Sequence, residues 1–354
     1  MKHLSKLLLL FLGTNPILFG QNISQKIDSI AKSYHEQSGI GLSIGFIQDT
    51  TEYYTAYGPL SKESEIDINE NSIFEIASIT KAITGMLIAQ AELEGKLKLT
   101  DYIDDYLPKA YTLQDKLKNK IKISDLASHQ SGLPDIDFGE LIALNPQQPV
   151  SNVTESTLVN LVNSCDTLQD YGSYRYSTLG YTLLGQILET TYGKPYVLLV
   201  DEKLIQPLKL TRTFTKDFQV SNRTKGYNPE GGEQEFFNWN VTAPAGLLKS
   251  SASDITKYLK VILKVEGPFS KAALLTETIT YSDSNRNMGL GLNIVQDGDN
   301  TLYLKSGDSM GQSSMLCYNR RDGWGLIILL NQRNSPLRQE VLNAIYQVAL
   351  KNYR

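Results

Sequence analysis

Apolar residues alternate with polar ones near the two ends of this chain and recur at helical spacing through its middle, and that distribution restricts the architectures open to it. Residues 23–37 place Ile23, Ile27, Ile30, Ala31 and Tyr34 on one helical face, and the segments 40–48 and 52–57 then read as a hairpin. Apolar runs at 291–295, 302–305, 313–318 and 325–330 read as strands, followed by an amphipathic helix over 336–350. Between the two ends lie helical stretches at 154–162, 178–190, 196–205 and 252–263, separated by loops rich in Pro, Gly and Asn. Strands at both ends around a helical middle predict an α+β fold: one sheet assembled from the two ends, flanked by helices, with a mostly helical lobe of residues 100–265 beside it.

The first twenty residues have a different character. Lys2 and Lys6 precede an apolar run from Leu7 to Leu12, and the stretch continues through Pro16 to Phe19 and Gly20. This reads as a secretory signal peptide over 1–20, with an uncleaved anchor as the alternative, and leaves residues 21–354 as the folded domain. The run is too short for a membrane span, which takes about 20 apolar residues, and no later segment qualifies. The expectation is an exported protein, periplasmic or secreted. With 41% hydrophobic and 20% charged residues the remainder has a globular composition. Its net charge of −4 becomes −6 without Lys2 and Lys6, and the absence of a basic stripe argues against a nucleic-acid partner. His35 and His129 are the histidines left outside the leader, and no CxxC spacing exists, so neither a metal nor another cofactor is expected. Cys165 and Cys317 would meet an oxidising compartment after export, and the sequence leaves open whether they pair or stay as buried thiols.

Residues 78–93 read as a buried helix, with Ile79, Ile83, Met86, Leu87 and Ala91 at core spacing and Gly95 as its stop. Ser78 and Lys81 stand at its start, where an i, i+3 spacing puts hydroxyl and ammonium on one face. A serine hydroxyl needs a neighbouring base to act as a nucleophile, and a desolvated lysine can lose its proton and serve as one. The helix N-terminus also directs N–H groups at incoming negative charge. Four residues are a weak signal, because an ordinary cap followed by a solvated lysine looks the same. Two pentapeptides, at 41–45 and 307–311, fit the GxSxG elbow of α/β-hydrolases. That elbow needs strand, serine, helix and a later histidine. Ser43 lies in an alternating strand that runs into another, and no histidine follows Ser309, so both are rejected.

Further blocks follow in order: IFEIASITKAIT around Ser78, LASHQSGLPD at 126–135, YRYSTLGYTLLGQILE at 174–189, PAGLLKSSASDITKYL at 244–259 and YLKSGDSMGQSSM at 303–315. Together they resemble the penicillin-recognising serine hydrolases, the superfamily of class C β-lactamases, D-alanyl-D-alanine carboxypeptidases and related esterases, over nearly the whole chain after the leader. The resemblance implies a β-lactamase/transpeptidase-like fold with an antiparallel sheet. It makes Ser78 the acylated nucleophile and Lys81 its partner. Tyr176, opening the second motif, would shuttle a proton to the leaving group, with phenolate character favoured by nearby lysines. In the third motif Lys305 would attract a substrate carboxylate, Ser306 and Gly307 would line the substrate, and Gly307 would allow close backbone approach. The oxyanion hole would be the N–H groups of Ser78 and Asp308. His129 would orient backbone and transfer no proton.

Two departures bear on substrate. Thr178 ends the second motif where β-lactamases of this kind usually carry Asn, which puts efficient β-lactam hydrolysis in doubt. Asp308 brings a carboxylate close to the oxyanion site and is expected to turn its side chain away. The expected function is therefore a serine hydrolase forming an acyl-enzyme on Ser78 and acting on amide bonds of β-lactam or D-alanyl peptide type. Its partner would be a small-molecule or peptide substrate, with cell-wall peptide as one source. A carboxylesterase of the same fold and a catalytically weak penicillin-binding or sensor protein are the alternatives.

Overall fold

The computed structural model describes residues 16–216, 220–264 and 266–351, with side chains from residue 23 onward. Most of the leader expected over 1–20 lies outside the described residues. Helix α1 (Pro16–Ser38) leads into the hairpin β1 (Leu42–Gln48) and β2 (Thr51–Tyr57), and β3 (Phe74–Glu75) precedes α2 (Ile79–Leu93). The middle of the chain forms α3 (Ile123–Ala127), α4 (Phe138–Leu144), α5 (Glu155–Asn163), α6 (Thr178–Tyr192), α7 (Tyr196–Val200) and α8 (Gln206–Leu208). The short strands β4 (Gly226–Tyr227), β5 (Glu233–Gln234) and β6 (Lys249–Ser250) come next, then α9 (Ala252–Ile262) and α10 (Pro268–Thr276). The chain closes with β7 (Tyr281–Ser282), β8 (Asn287–Met288), β9 (Asn293–Asp297), β10 (Asn300–Asp308), β11 (Ser313–Asn319), β12 (Trp324–Leu330) and α11 (Ser335–Ile345).

The main sheet has eight strands in the order β2-β1-β12-β11-β10-β9-β8-β7, and its pairings are antiparallel. The two ends of the chain meet at β1 and β12, in register from Leu42 opposite Leu330 to Gln48 opposite Trp324. This is the sheet expected from strands at both termini. Its central strands are buried on both faces, which explains why they read as nearly continuous apolar runs. Leu42, Ile44, Phe46, Leu326, Ile328 and Leu330 pack toward α1 and α11. Ile47, Ile327 and Leu329 face the larger core that holds α2, α6 and α9. Helix α9 crosses β1 so closely that a Cβ on Gly45 would lie 2.3 Å from Thr256 Oγ1. A side chain there would force the two layers apart.

Helix starts in the lobe follow local chemistry. Thr154 caps α5 by accepting from the Thr157 N–H, Ser177 caps α6 and Ser251 caps α9. Helix α6 stops at Gly193, whose φ of 65° suits the left-handed C-terminal position. The stretch read as one helix over 196–205 is α7 continued through a π-helical turn into α8. Helix α10 had no counterpart in the sequence reading. Cys165 and Cys317 are both free and buried, one in the core around α2 and the other in the core around α11. Among the described residues no helix is long and apolar enough to cross a membrane.

Candidate active site

The first motif is held at the junction of β3 and α2. Ala77 takes a φ of +45°, sparsely populated for a residue with a Cβ, and the chain then turns into the helix. Ser78 occupies the N-cap position at φ −64° and ψ −4°, yet its hydroxyl makes no capping bond. Instead Ser78 Oγ lies 2.7 Å from Tyr176 Oη and 3.2 Å from Lys81 Nζ. The reading of Ser78 as an ordinary cap with a solvated lysine behind it is thereby excluded. Lys81 is 1% exposed, and its ammonium also donates to the Ala245 carbonyl at 2.8 Å. Burial pushes Lys81 down to about 7, with Asp135 pulling the other way. An amine that loses its proton near neutral pH and lies within reach of a hydroxyl can take the hydroxyl's proton.

The second motif sits where an exposed loop enters α6. Tyr176 is 44% exposed, but the backbone on either side of it is anchored: the Arg175 N–H donates to the His129 carbonyl at 2.7 Å and the Ser177 N–H to His129 Nδ1 at 3.1 Å. The Ser177 hydroxyl accepts from the Gly180 N–H. The Asp135 carboxylate accepts from the N–H groups of Thr178 and Leu179 at 2.9 and 2.7 Å, placing a negative charge at the positive end of the helix. Thr178 is buried in the first turn of α6, and its hydroxyl makes no hydrogen bond to Ser78, Lys81 or Tyr176.

Lys305, on β10, completes the cluster. Its ammonium lies 5.2 Å from the centre of the Tyr176 ring, and that of Lys81 lies 4.9 Å from the same centre. Burial pushes Lys305 down to about 8; Tyr176 opposes the shift, while Lys81 and Arg286 add to it. Gly307 is required by packing within the protein. A Cβ there would stand 2.2 Å from the Ile76 carbonyl oxygen and 3.0 Å from the Ser78 nitrogen, so β10 runs directly against the turn that leads from β3 to Ser78. The sequence reading reserved that closeness for the substrate. Ser306 lines a cavity of about 320 Å³ together with Arg286, Asn293, Met315 and Gln339. Asp308 does turn away: its Oδ1 accepts from Arg338 Nη1 at 2.6 Å and from Ser313 Oγ at 2.5 Å.

The structure thus brings Ser78, Lys81, Tyr176 and Lys305 together, sets Gly307 beside them, and directs Thr178, Ser306 and Asp308 elsewhere. Sequence reasoning missed Asp135, the Ala245 carbonyl, Arg286 and Arg338. Asp135 was legible in principle, since it ends one of the blocks that carried the resemblance, whereas Arg338 stands in the terminal helix without any signal. The rejected GxSxG serines are structural. Ser43 is buried in β1 and donates to the Asn69 carbonyl, and Ser309 Oγ accepts from the Gly311 and Gln312 N–H groups in a turn. Among the described residues no three His, Cys, Asp or Glu side chains converge as a metal site.

The chain is 26% identical to a β-lactamase of Pseudomonas fluorescens over 90% of its own length and 96% of that protein. It is 24% identical to the protein flp of Staphylococcus aureus (strain N315) over 90% of its length, and spans 66% of that protein. Solved structures share the fold. A class C β-lactamase superposes with a TM-score of 0.81 at 18% identity, covering 92% of this chain and 96% of that one. A β-lactamase/D-alanine carboxypeptidase from Pseudomonas syringae gives 0.81 at 19% identity, covering 93% and 99%. The Beta-lactamase family model matches residues 23–350, almost everything the structure describes. With a serine, two lysines and a tyrosine gathered at one point of that fold, the chain belongs to the β-lactamase family of serine hydrolases.

Proposed function

We propose that this chain is an exported hydrolase that forms an acyl-enzyme on Ser78 and cleaves amide bonds of the β-lactam or D-alanyl peptide kind. The observation that carries this is the hydroxyl of Ser78 set between Tyr176 Oη at 2.7 Å and Lys81 Nζ at 3.2 Å. Lys81, pushed down to about 7, takes the serine proton in its neutral form as Oγ attacks the carbonyl. Tyr176 passes a proton to the departing nitrogen, and the N–H groups of Ser78 and Asp308 receive the oxyanion. Lys305, still cationic below about 8, draws in a substrate carboxylate. The Tyr176 phenolate then takes a proton from the water that attacks the acyl carbonyl, and Lys81 returns its proton to Ser78 Oγ as the acyl group leaves.

Thr178 favours a second reading, a carboxylesterase. A hydroxyl buried in α6 offers nothing to a substrate's side-chain amide, so simple esters would be accepted as readily. A fluorescent penicillin and a fluorophosphonate probe test the nucleophile: both should label the wild type and neither should label Ser78→Ala. Persistent labelling of that variant would remove Ser78 from the role. Turnover of nitrocefin, a D-alanyl-D-alanine peptide and p-nitrophenyl acetate separates the substrates, and hydrolysis of the acetate alone would favour the esterase.

A further inference from the structure

His129 stands beside the catalytic cluster and touches neither Ser78 nor a lysine through a hydrogen bond, yet it is tied to the residues on both sides of Tyr176. Its carbonyl accepts the Arg175 N–H and its Nδ1 accepts the Ser177 N–H. Its ring lies 4.6 Å from that of Tyr176, centre to centre, and is enclosed by Tyr181 at 5.1 Å and Tyr174 at 5.7 Å. The backbone of His129 is held at a φ of +64°, which directs carbonyl and ring toward the same loop. An imidazole nitrogen that accepts a backbone N–H carries no proton, so the hydrogen must be on Nε2. His129 is 1% exposed, and Nε2 has no hydrogen-bond partner among the described residues.

We propose that His129 is the positioning residue of this site: its neutral imidazole, protonated on Nε2, clamps residues 175–177 so that Tyr176 Oη stays within reach of Ser78 Oγ. A cationic ring would turn Nδ1 into a donor facing the Ser177 N–H and open the clamp. Burial, reinforced by Lys305, Lys81 and Arg286, holds His129 well below the ordinary histidine value and keeps it neutral. The clamp matters because Tyr176 is the exposed member of the cluster, so its neighbours must fix it.

The inference rests on Tyr176 acting as proton shuttle, and two substitutions separate the acceptor from the ring. His129→Asn keeps an acceptor at the branch occupied by Nδ1 and tolerates positive φ, whereas His129→Phe keeps a ring and has no acceptor. His129→Phe should lower kcat roughly 30- to 100-fold with little change in KM, and His129→Asn should recover most of that loss. Melting temperatures of both variants show whether activity merely follows stability. A Phe variant as active as the Asn variant, or losses that track melting temperature alone, would overturn the proposal. A measurement on the unaltered full-length protein stands apart from folding defects: 15N-histidine labelling should show at pH 7 a neutral ring protonated on Nε2, absent from His129→Asn. A ring protonated on Nδ1 at this position would also overturn it. If Ser78→Ala still reacts with the probes, the functional reading fails; if Ser78→Ala is silent and His129→Phe is fully active, the clamp alone fails.

Discussion

In the proposed mechanism the two lysines of the site have to be in opposite protonation states to do different work. Lys81 must be neutral to take the serine proton, so turnover rises as pH climbs through about 7. Lys305 must be charged to hold a carboxylate, so that contribution is lost as pH climbs through about 8. For a penicillin or a D-alanyl peptide, kcat/KM should pass through a maximum between these values. For p-nitrophenyl acetate, which has no carboxylate, the rising limb should remain and the falling limb should be missing. Profiles measured from pH 5.5 to 9.5 check this, and an equal falling limb with the acetate would show that Lys305 does not act through the substrate's charge. At this scale the closeness of Ser78 and Lys81 was legible in the sequence, because one helical turn separates them. The sequence carried their surroundings badly. Whether Thr178, Ser306 and Asp308 face a substrate depends on which side of α6 or β10 each presents, and Asp308 is committed to Arg338 from an element that no motif announces.

Helix α6 shows how an element serves the site. Its N-terminus carries the second motif, and three oxygens receive its first N–H groups: Ser177 Oγ and both oxygens of Asp135. Replacing Asp135 by Ala should cost about 1–2 kcal/mol in urea denaturation, and by Asn less, since one acceptor oxygen survives. Asp135 also raises the Lys81 pKa, so Asp135→Asn should move the rising limb of the pH profile to lower pH. An unmoved limb would place Lys81 outside that limb. Elements were legible where the apolar period was long, as in α2, α6 and α9. Helix α10 is no shorter than α5, which was read, and its clearest sign is the Gly267-Pro268 entry, with Pro at the first helical position.

For the molecule as a whole, Ser78 comes from the N-terminal half and Lys305 from the C-terminal half, so the cluster exists only once β10 has docked against the turn between β3 and α2 and the sheet has closed at β1 and β12. The two cores on either side of that sheet should therefore unfold together. Each holds one of the two tryptophans, Trp239 in the core around α2 and Trp324 in the core around α11. Trp239→Phe and Trp324→Phe leave one reporter in each core. Their fluorescence transitions in urea should coincide with each other and with loss of probe labelling at Ser78. Separate transitions would mean that the cores are independent units.

Cys165 and Cys317 sit in those same two cores, with the sheet between them. The fold therefore owes nothing to an oxidant. With both thiols free, the fold contains no cross-link that a reductant could open.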